Sequence, residues 1–248
     1  MVKAVLAAFR FYKPNLDFIM KKSIIITGGS KGIGLACVKL FLKNNFNVIN
    51  ASRTDSNPVK NKHYSFIKTN VSSEKDVKDL FTKAAKAHGK IDAVICNAGF
   101  GIFANLADSK TSDFDKMFAV NVKGVYLCNK YAVKAMLETK GGTIINISSI
   151  GGKNGIATAS VYSATKHAVI GLSSSLMAEV RKDNIRVVTI CPGSVDTNFF
   201  DHPSAELNSA RDTILSPEDV AEVCLLSVKL PQRALMNEVE IRPLFPKK

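Results

Sequence analysis

The chain has 248 residues, 46% of them apolar and 22% charged, a composition that excludes a disordered chain and fits one α/β domain with a substantial buried core. Its cysteines (Cys37, Cys96, Cys128, Cys191, Cys224) and histidines (His63, His88, His167, His202) show no ligand spacing, so no metal is expected and the thiols read as reduced, in a cytoplasmic protein. The net charge of +13 is spread along the chain, mostly in lysines, with no dense run and no aromatic stripe, which argues against a nucleic-acid partner.

Residues 1–19 carry an apolar stretch broken by Lys3, Arg10 and Lys13, too short and interrupted to span a bilayer. Met20-Lys21-Lys22 reads as a start in its own right, so 1–19 are expected to be an N-terminal appendage outside the fold. From 20 to 248, strands and helices alternate. Ser23–Thr27 is a short apolar strand, followed by glycines and an amphipathic helix over Ile33–Lys43. Strands follow at Asn47–Ala51 and Tyr64–Thr69; then Val77, Leu80, Phe81 and Ala84 give Ser73–Ala87 a helical period. Ile91–Cys96 is a fourth strand. Ser112–Glu138 reads as one long helix, stopped by Gly141-Gly142. Thr143–Ile147 is a strand, Val161–Arg181 a second long helix and Ile185–Cys191 a strand; Pro217–Val228 is a late helix and Glu238–Arg242 a last strand. The strands are continuous β-branched runs, as in a parallel sheet covered on both faces. The expected fold class is α/β, a doubly wound parallel sheet (Rossmann fold) in a single domain.

Two motifs carry chemistry. In T-G-G-S-K-G-I-G (Thr27–Gly34), glycines after the first strand permit a tight turn and bring N–H groups to a pyrophosphate at a helix N-terminus. In Y-S-A-T-K, Tyr162 and Lys166 lie at i and i+4 on one helix face, with Ser149 upstream in N-I-S-S. A nearby lysine is expected to lower the phenol's pKa, so that the tyrosine exchanges a proton with a carbonyl or alcohol oxygen that the serine hydroxyl orients. The same tyrosine–lysine spacing recurs at Tyr64/Lys68 and Tyr126/Lys130. The first of these pairs lies on a strand, its Cα atoms about 13 Å apart. The second sits mid-helix with no matching serine and reads as packing and surface.

The loop spacing Gly28, Gly32, Gly34 resembles the T-G-x-x-x-G-x-G loop of the short-chain dehydrogenase/reductase family, and the resemblance runs from Met20 to Leu244. Asn97-Ala98-Gly99 after the fourth strand matches that family, as do Asn121 in V-N-V-K-G, the set Ser149, Tyr162 and Lys166, and Pro192-Gly193-Ser194-Val195-Asp196-Thr197. The resemblance implies that Ser30, Lys31, Ile33 and the loop glycines hold the dinucleotide, with Pro192, Gly193, Val195 and Thr197 on its nicotinamide side. It implies that Lys166 also holds the ribose, that Asn121 anchors a relay water, and that helices 112–138 and 161–181 build a homodimer or homotetramer. Two departures stand out: Asn70-Val71 replaces a common Asp-Val beside the adenine, and the C-terminus N-E-V-E-I-R-P lacks the glycine-rich segment of many tetrameric members.

At the end of the second strand Ser52 occupies the place of the carboxylate that would accept a ribose 2′-OH, Arg53 follows it, and Lys31 lies in the glycine loop. That charge pattern suits a 2′-phosphate and points to NADP(H). The expected activity is NADP(H)-dependent interconversion of a small carbonyl compound and a secondary alcohol, with no membrane or nucleic-acid partner. Phe199 and Phe200, like Phe100 and Phe103, read either as an apolar lid or as core. The alternatives are a 3-oxoacyl-carrier-protein reductase type of enzyme and a non-catalytic NADP(H)-binding sensor or scaffold.

Overall fold

The computed structural model describes residues 21–56, 58–197, 199 and 210–245; the expected appendage at 1–19 lies outside the described residues. Seven strands form one sheet: β1 (Ser23–Thr27), β2 (Asn47–Ser52), β3 (Tyr64–Lys68), β4 (Ala93–Cys96), β5 (Gly142–Ile147), β6 (Ile185–Pro192) and β7 (Glu238–Ile241). Their spatial order is β3-β2-β1-β4-β5-β6-β7, and all pairings are parallel. The chain leaves β1 in one direction toward β2 and β3 and returns on its other side with β4. A crevice therefore opens between β1 and β4 at the carboxyl ends of the strands.

Alternation along β1 feeds both layers. Ile24 and Ile26 meet Cys37, Val38 and Phe41 of α1 (Gly32–Lys43) and Val220, Cys224 and Val228 of α6 (Pro217–Lys229). Ile25 faces the opposite layer, with Val77 and Leu80 of α2 (Glu74–His88), Val125 and Cys128 of α4 (Gly124–Glu138) and Val169 of α5 (Ser160–Val180). Each fully buried isoleucine contributes about 1.5–3 kcal/mol, which explains why these strands read as unbroken apolar runs. Helix starts are fixed locally. Ser73 caps α2, and Ser216 with Asp219 forms a reciprocal cap on α6, where Pro217 takes the first turn. Among the described residues no helix is long and apolar enough to cross a membrane.

The expected single helix 112–138 is corrected. It comprises α3 (Thr111–Met117), a π-helical segment Phe118–Lys123, and α4. The widened turn places Asn121 inward, 1% exposed, where its amide is anchored outside the helix. Just beyond it, Gly124 lies so close to Val71 that a Cβ there would meet Val71 Cγ2 at 2.8 Å. Apolar periodicity cannot register one extra residue within a turn, whereas π segments of this kind gather at functional sites. Elsewhere the expected bounds shift by a residue or two.

Candidate active site

The glycine loop forms the floor of the crevice. Gly28 has φ +69°, and an added Cβ would meet the Ala98 Cα at 3.0 Å. At Gly34 it would lie 2.2 Å from the Gly28 carbonyl oxygen, so only glycine allows α1 to start this close to β1. The first-turn N–H groups of α1 have no partner within the helix and face the loop's concavity. Lys31 stands exposed at the N-cap position without a side-chain cap bond. Thr27 ties the loop to the strand beside it: its Oγ1 accepts from the N–H groups of Asn97 (2.9 Å) and Ala98 (3.0 Å). Asn97 Nδ2 donates to the carbonyls of Thr27 and Gly28 at 3.0 and 3.3 Å. Asn97 thus braces the loop through its side chain, a role its position in the motif did not reveal.

β5 and α5 deliver Ser149, Tyr162 and Lys166, the residues expected to handle the proton. Ser149 caps a 3₁₀ turn over Ile150–Gly152, its Oγ accepting from Gly151 N–H at 3.1 Å. Ser148 beside it donates to the Lys166 carbonyl at 3.0 Å. Gly152 packs there so closely that a Cβ would fall 2.8 Å from the same carbonyl oxygen. The loop is thereby clamped onto α5, and Gly151 sets the Ser149 hydroxyl beside the Tyr162 ring: a Cβ on this glycine would lie 3.5 Å from both Ser149 Oγ and Tyr162 Cε1. Lys166, 7% exposed, donates from Nζ to the Ile147 carbonyl at 3.0 Å and stands 5.7 Å from the centroid of the Tyr162 ring. One turn of α5 therefore brings Tyr162 and Lys166 together with Ser149.

The electrostatics differ from the expectation that lysine lowers the tyrosine's pKa. Burial pushes the Tyr162 phenol up to about 12, with the Ser149 hydrogen bond opposing. Burial likewise pushes Lys166 down to about 8, against a smaller opposite effect of Cys191. Desolvation of both groups dominates because the lysine lies beneath the ring rather than at the phenol oxygen. The tyrosine is therefore held as a neutral proton donor at neutral pH.

Asn121 lies under this cluster. Its Oδ1 accepts from Phe100 N–H at 3.0 Å, and its Nδ2 donates to the Phe100 carbonyl at 2.8 Å and to Thr165 Oγ1 at 3.1 Å. Thr165 Oγ1 donates onward to the Tyr162 carbonyl at 2.7 Å. An added Cβ at Gly99 would sit 3.2 Å from Asn121 Oδ1 and 3.7 Å from Lys166 Nζ, so glycine keeps the β4 loop tight against both.

Phe103 and Phe199 flank the tyrosine with ring centroids 5.6 Å from it and 5.8 Å from each other. Phe100 packs on the same cluster, which answers the lid-or-core alternative with an apolar wall around Tyr162, while Phe200 lies outside the described residues. Gly101 was missed by sequence reasoning. A Cβ there would come within 2.8 Å of the Phe199 ring, so this glycine lets the wall close.

The remaining expected cofactor contacts are placed as follows. Ser30 Oγ donates to the Thr54 carbonyl, drawing the segment after β2 onto the glycine loop; Lys31 and Arg53, each next in sequence to one of these partners, are both exposed. Ser52 is buried and donates to Asn50 Oδ1 at 2.7 Å. Thr197 methyl lies 3.3 Å from a Cβ position on Gly32, which sets the turn after β6 against the loop, while Ile33 packs half-buried on the core under α1. Gly193 donates to the Ile241 carbonyl at 2.8 Å, and Val195 bridges to Leu215, fixing that turn after Pro192. Asn70 uses its Oδ1 on Ser72 N–H and Oγ, and Val71 is buried against Gly124. Asp55 also enters this region, hydrogen-bonded to Tyr64 and Asn50, although its sequence position gave no signal. The other two tyrosine–lysine pairs stand apart: Lys130 pairs with Glu74 at 2.7 Å, and Tyr64 is on β3.

The family model described as short chain dehydrogenase matches residues 22–208. An uncharacterized oxidoreductase of Staphylococcus aureus (strain MRSA252) is 31% identical over 235 residues, covering 92% of this chain and 100% of the relative. The solved structure of ElxO with NADP bound superposes with a TM-score of 0.77 at 30% identity, covering 89% of this chain and 98% of that one. The closed form of a serine dehydrogenase complexed with NADP+ gives 0.83 at 25% identity, covering 90% and 95%.

Proposed function

The chain belongs to the short-chain dehydrogenase family, and from that premise we propose that it is an NADP(H)-dependent oxidoreductase interconverting a carbonyl and a secondary alcohol. The observation that carries this reading is the convergence of the Ser149 hydroxyl, the Tyr162 phenol and the Lys166 ammonium inside an apolar wall. A binding-only protein has no use for such a set, which disfavours the sensor or scaffold.

The cradle fits the dinucleotide. Gly28, Gly32 and Gly34 clear the backbone, and the first turn of α1 offers N–H donors to the pyrophosphate. Exposed Lys31 and Arg53 beside Ser52 offer positive charge where NAD-specific pockets place a carboxylate. The NADP-bound state of ElxO and of the serine dehydrogenase supports the same choice. When bound, the nicotinamide ring supplies a hydride to the carbonyl carbon or accepts one from the alcohol carbon.

This chain's residues manage the oxygen. Ser149 hydrogen-bonds the carbonyl oxygen and orients it toward Tyr162. The phenol proton passes to that oxygen as negative charge develops there, producing the alcohol and a tyrosinate whose charge the Lys166 ammonium, 5.7 Å from the ring centroid, offsets in part without overcoming the burial that keeps the resting phenol neutral. With its pKa held near 12, Tyr162 carries its proton at neutral pH, the form that protonation of a carbonyl oxygen requires. Asn121, with its amide committed to Phe100 and Thr165, positions the β4 loop and α5 rather than touching substrate. The aromatic wall keeps water out and suits a small or medium substrate of apolar character. Following NADPH oxidation across a panel of ketones, aldehydes and 3-oxoacyl thioesters tests the reading. Turnover of small carbonyls supports it, turnover restricted to thioesters favours the acyl-carrier alternative, and none with any class overturns it.

A further inference from the structure

Tyr64 repeats the tyrosine–lysine spacing of the reactive pair, yet it belongs to a different polar cluster at the carboxyl end of β2. Asn50, fully buried there, is the hub. Its Nδ2 donates to the Tyr64 phenol at 3.0 Å, to Ser30 Oγ at 3.3 Å and to Asp55 Oδ1 at 3.4 Å, while its Oδ1 accepts from Ser52 at 2.7 Å. The Tyr64 phenol donates to the same Asp55 oxygen at 2.6 Å. Burial, and next the Asp55 hydrogen bond, pushes that phenol up to about 12, so it remains a donor throughout the neutral range. Asn50 also presses on the glycine loop: a Cβ on Gly29 would meet its Oδ1 at 2.7 Å.

Ser30 and Ser52 belong to the region assigned above to the 2′-phosphate, and Asp55 stands one amide group away from both. A carboxylate in this place accepts the free 2′-OH of NAD and repels a 2′-phosphate. Left loose on the segment after Arg53, Asp55 would oppose the charge pattern of Lys31 and Arg53. We propose that Tyr64, with Asn50, tethers the Asp55 carboxylate toward β3 and away from the ribose 2′ position, and thereby sets selectivity for NADP(H) over NAD(H). Both are positioning residues, and the inference rests on the cofactor reading above.

Fluorescence titration of the purified protein with NADPH and with NADH gives both dissociation constants without any substrate. Wild type binds NADPH more tightly. Tyr64→Phe keeps the ring on the strand but releases the carboxylate, so NADPH affinity falls on the order of 10-fold, with NADH unchanged or tighter. Adding Asp55→Asn to Tyr64→Phe restores NADPH affinity, which a general loss of packing at β3 would not permit. Equal weakening of both cofactors in Tyr64→Phe, no change in either, or failure of Asp55→Asn to restore overturns the tether. Arg53→Ala is the reference variant. Selectivity lost in Arg53→Ala but intact in Tyr64→Phe removes the tether and leaves the cofactor reading standing. A wild type that prefers NADH removes both.

Discussion

Replacing Lys166 by methionine should stabilise the protein while silencing it. The ammonium is 7% exposed and donates to one neutral carbonyl, that of Ile147. Burial lowers its pKa from 10.5 to about 8, which sets the cost of keeping the charge in the fold at about 3 kcal/mol at most. The folded state binds this proton less tightly than the unfolded chain. The cost is therefore complete below about pH 8, shrinks as pH rises toward 10.5, and is gone above it. Methionine matches the length of the stem without the charge but forfeits the bond to Ile147, worth about 0.5–1.5 kcal/mol. The net gain at pH 7 is at most about 1.5–2.5 kcal/mol, or roughly 3–10 °C in melting temperature for a domain of this size. Melting curves of wild type and Lys166→Met, without cofactor, at intervals from pH 7 to pH 10 measure the difference with other titrations in common. A difference that does not narrow as pH rises, or a variant less stable at pH 7, refutes the desolvation account.

Arg53→Ala removes a charge-assisted bond to the 2′-phosphate from an exposed position, so NADPH should bind roughly 10- to 150-fold more weakly, with NADH unaffected; titration with both cofactors decides it. Adding Ser52→Asp supplies an acceptor for the free 2′-OH and should invert the preference. Phe114 and Tyr126, on α3 and α4, are 42% and 46% exposed, and Gly171 on α5 meets nothing within 4 Å, leaving helix faces suited to self-association. Light scattering at micromolar concentration should return a dimer or larger, and a monomer mass would exclude that use of these faces.

The doubly wound sheet was legible because its strands are buried on both faces and its helices carry a clear period. The convergence of Tyr162, Lys166 and Ser149 was legible because the first two are local to one helix turn and Ser149 closely follows the preceding strand. What escaped the sequence depends on contacts between distant segments. The π segment at Asn121 arises from an amide anchored to Phe100 and Thr165, residues 21 and 44 positions away. Gly101 matters only because Phe103 and Phe199 converge on it. The direction of the tyrosine's pKa was misjudged from charge alone, since the burial that reverses it is a property of the assembled wall. Asp55 gave no signal in the sequence because its links to Tyr64 and Asn50 form only when β2 and β3 pair.

The central claim is that Tyr162 transfers the proton. Tyr162→Phe removes that proton and keeps the ring between Phe103 and Phe199, so NADPH binding and the fold should be preserved. Single-turnover oxidation of bound NADPH, measured with a carbonyl substrate that wild type accepts, should slow by at least about 100-fold in this variant. NADPH affinity should stay within a few-fold of wild type. A Tyr162→Phe protein that binds NADPH normally and still reduces the carbonyl at near wild-type rate would contradict the account.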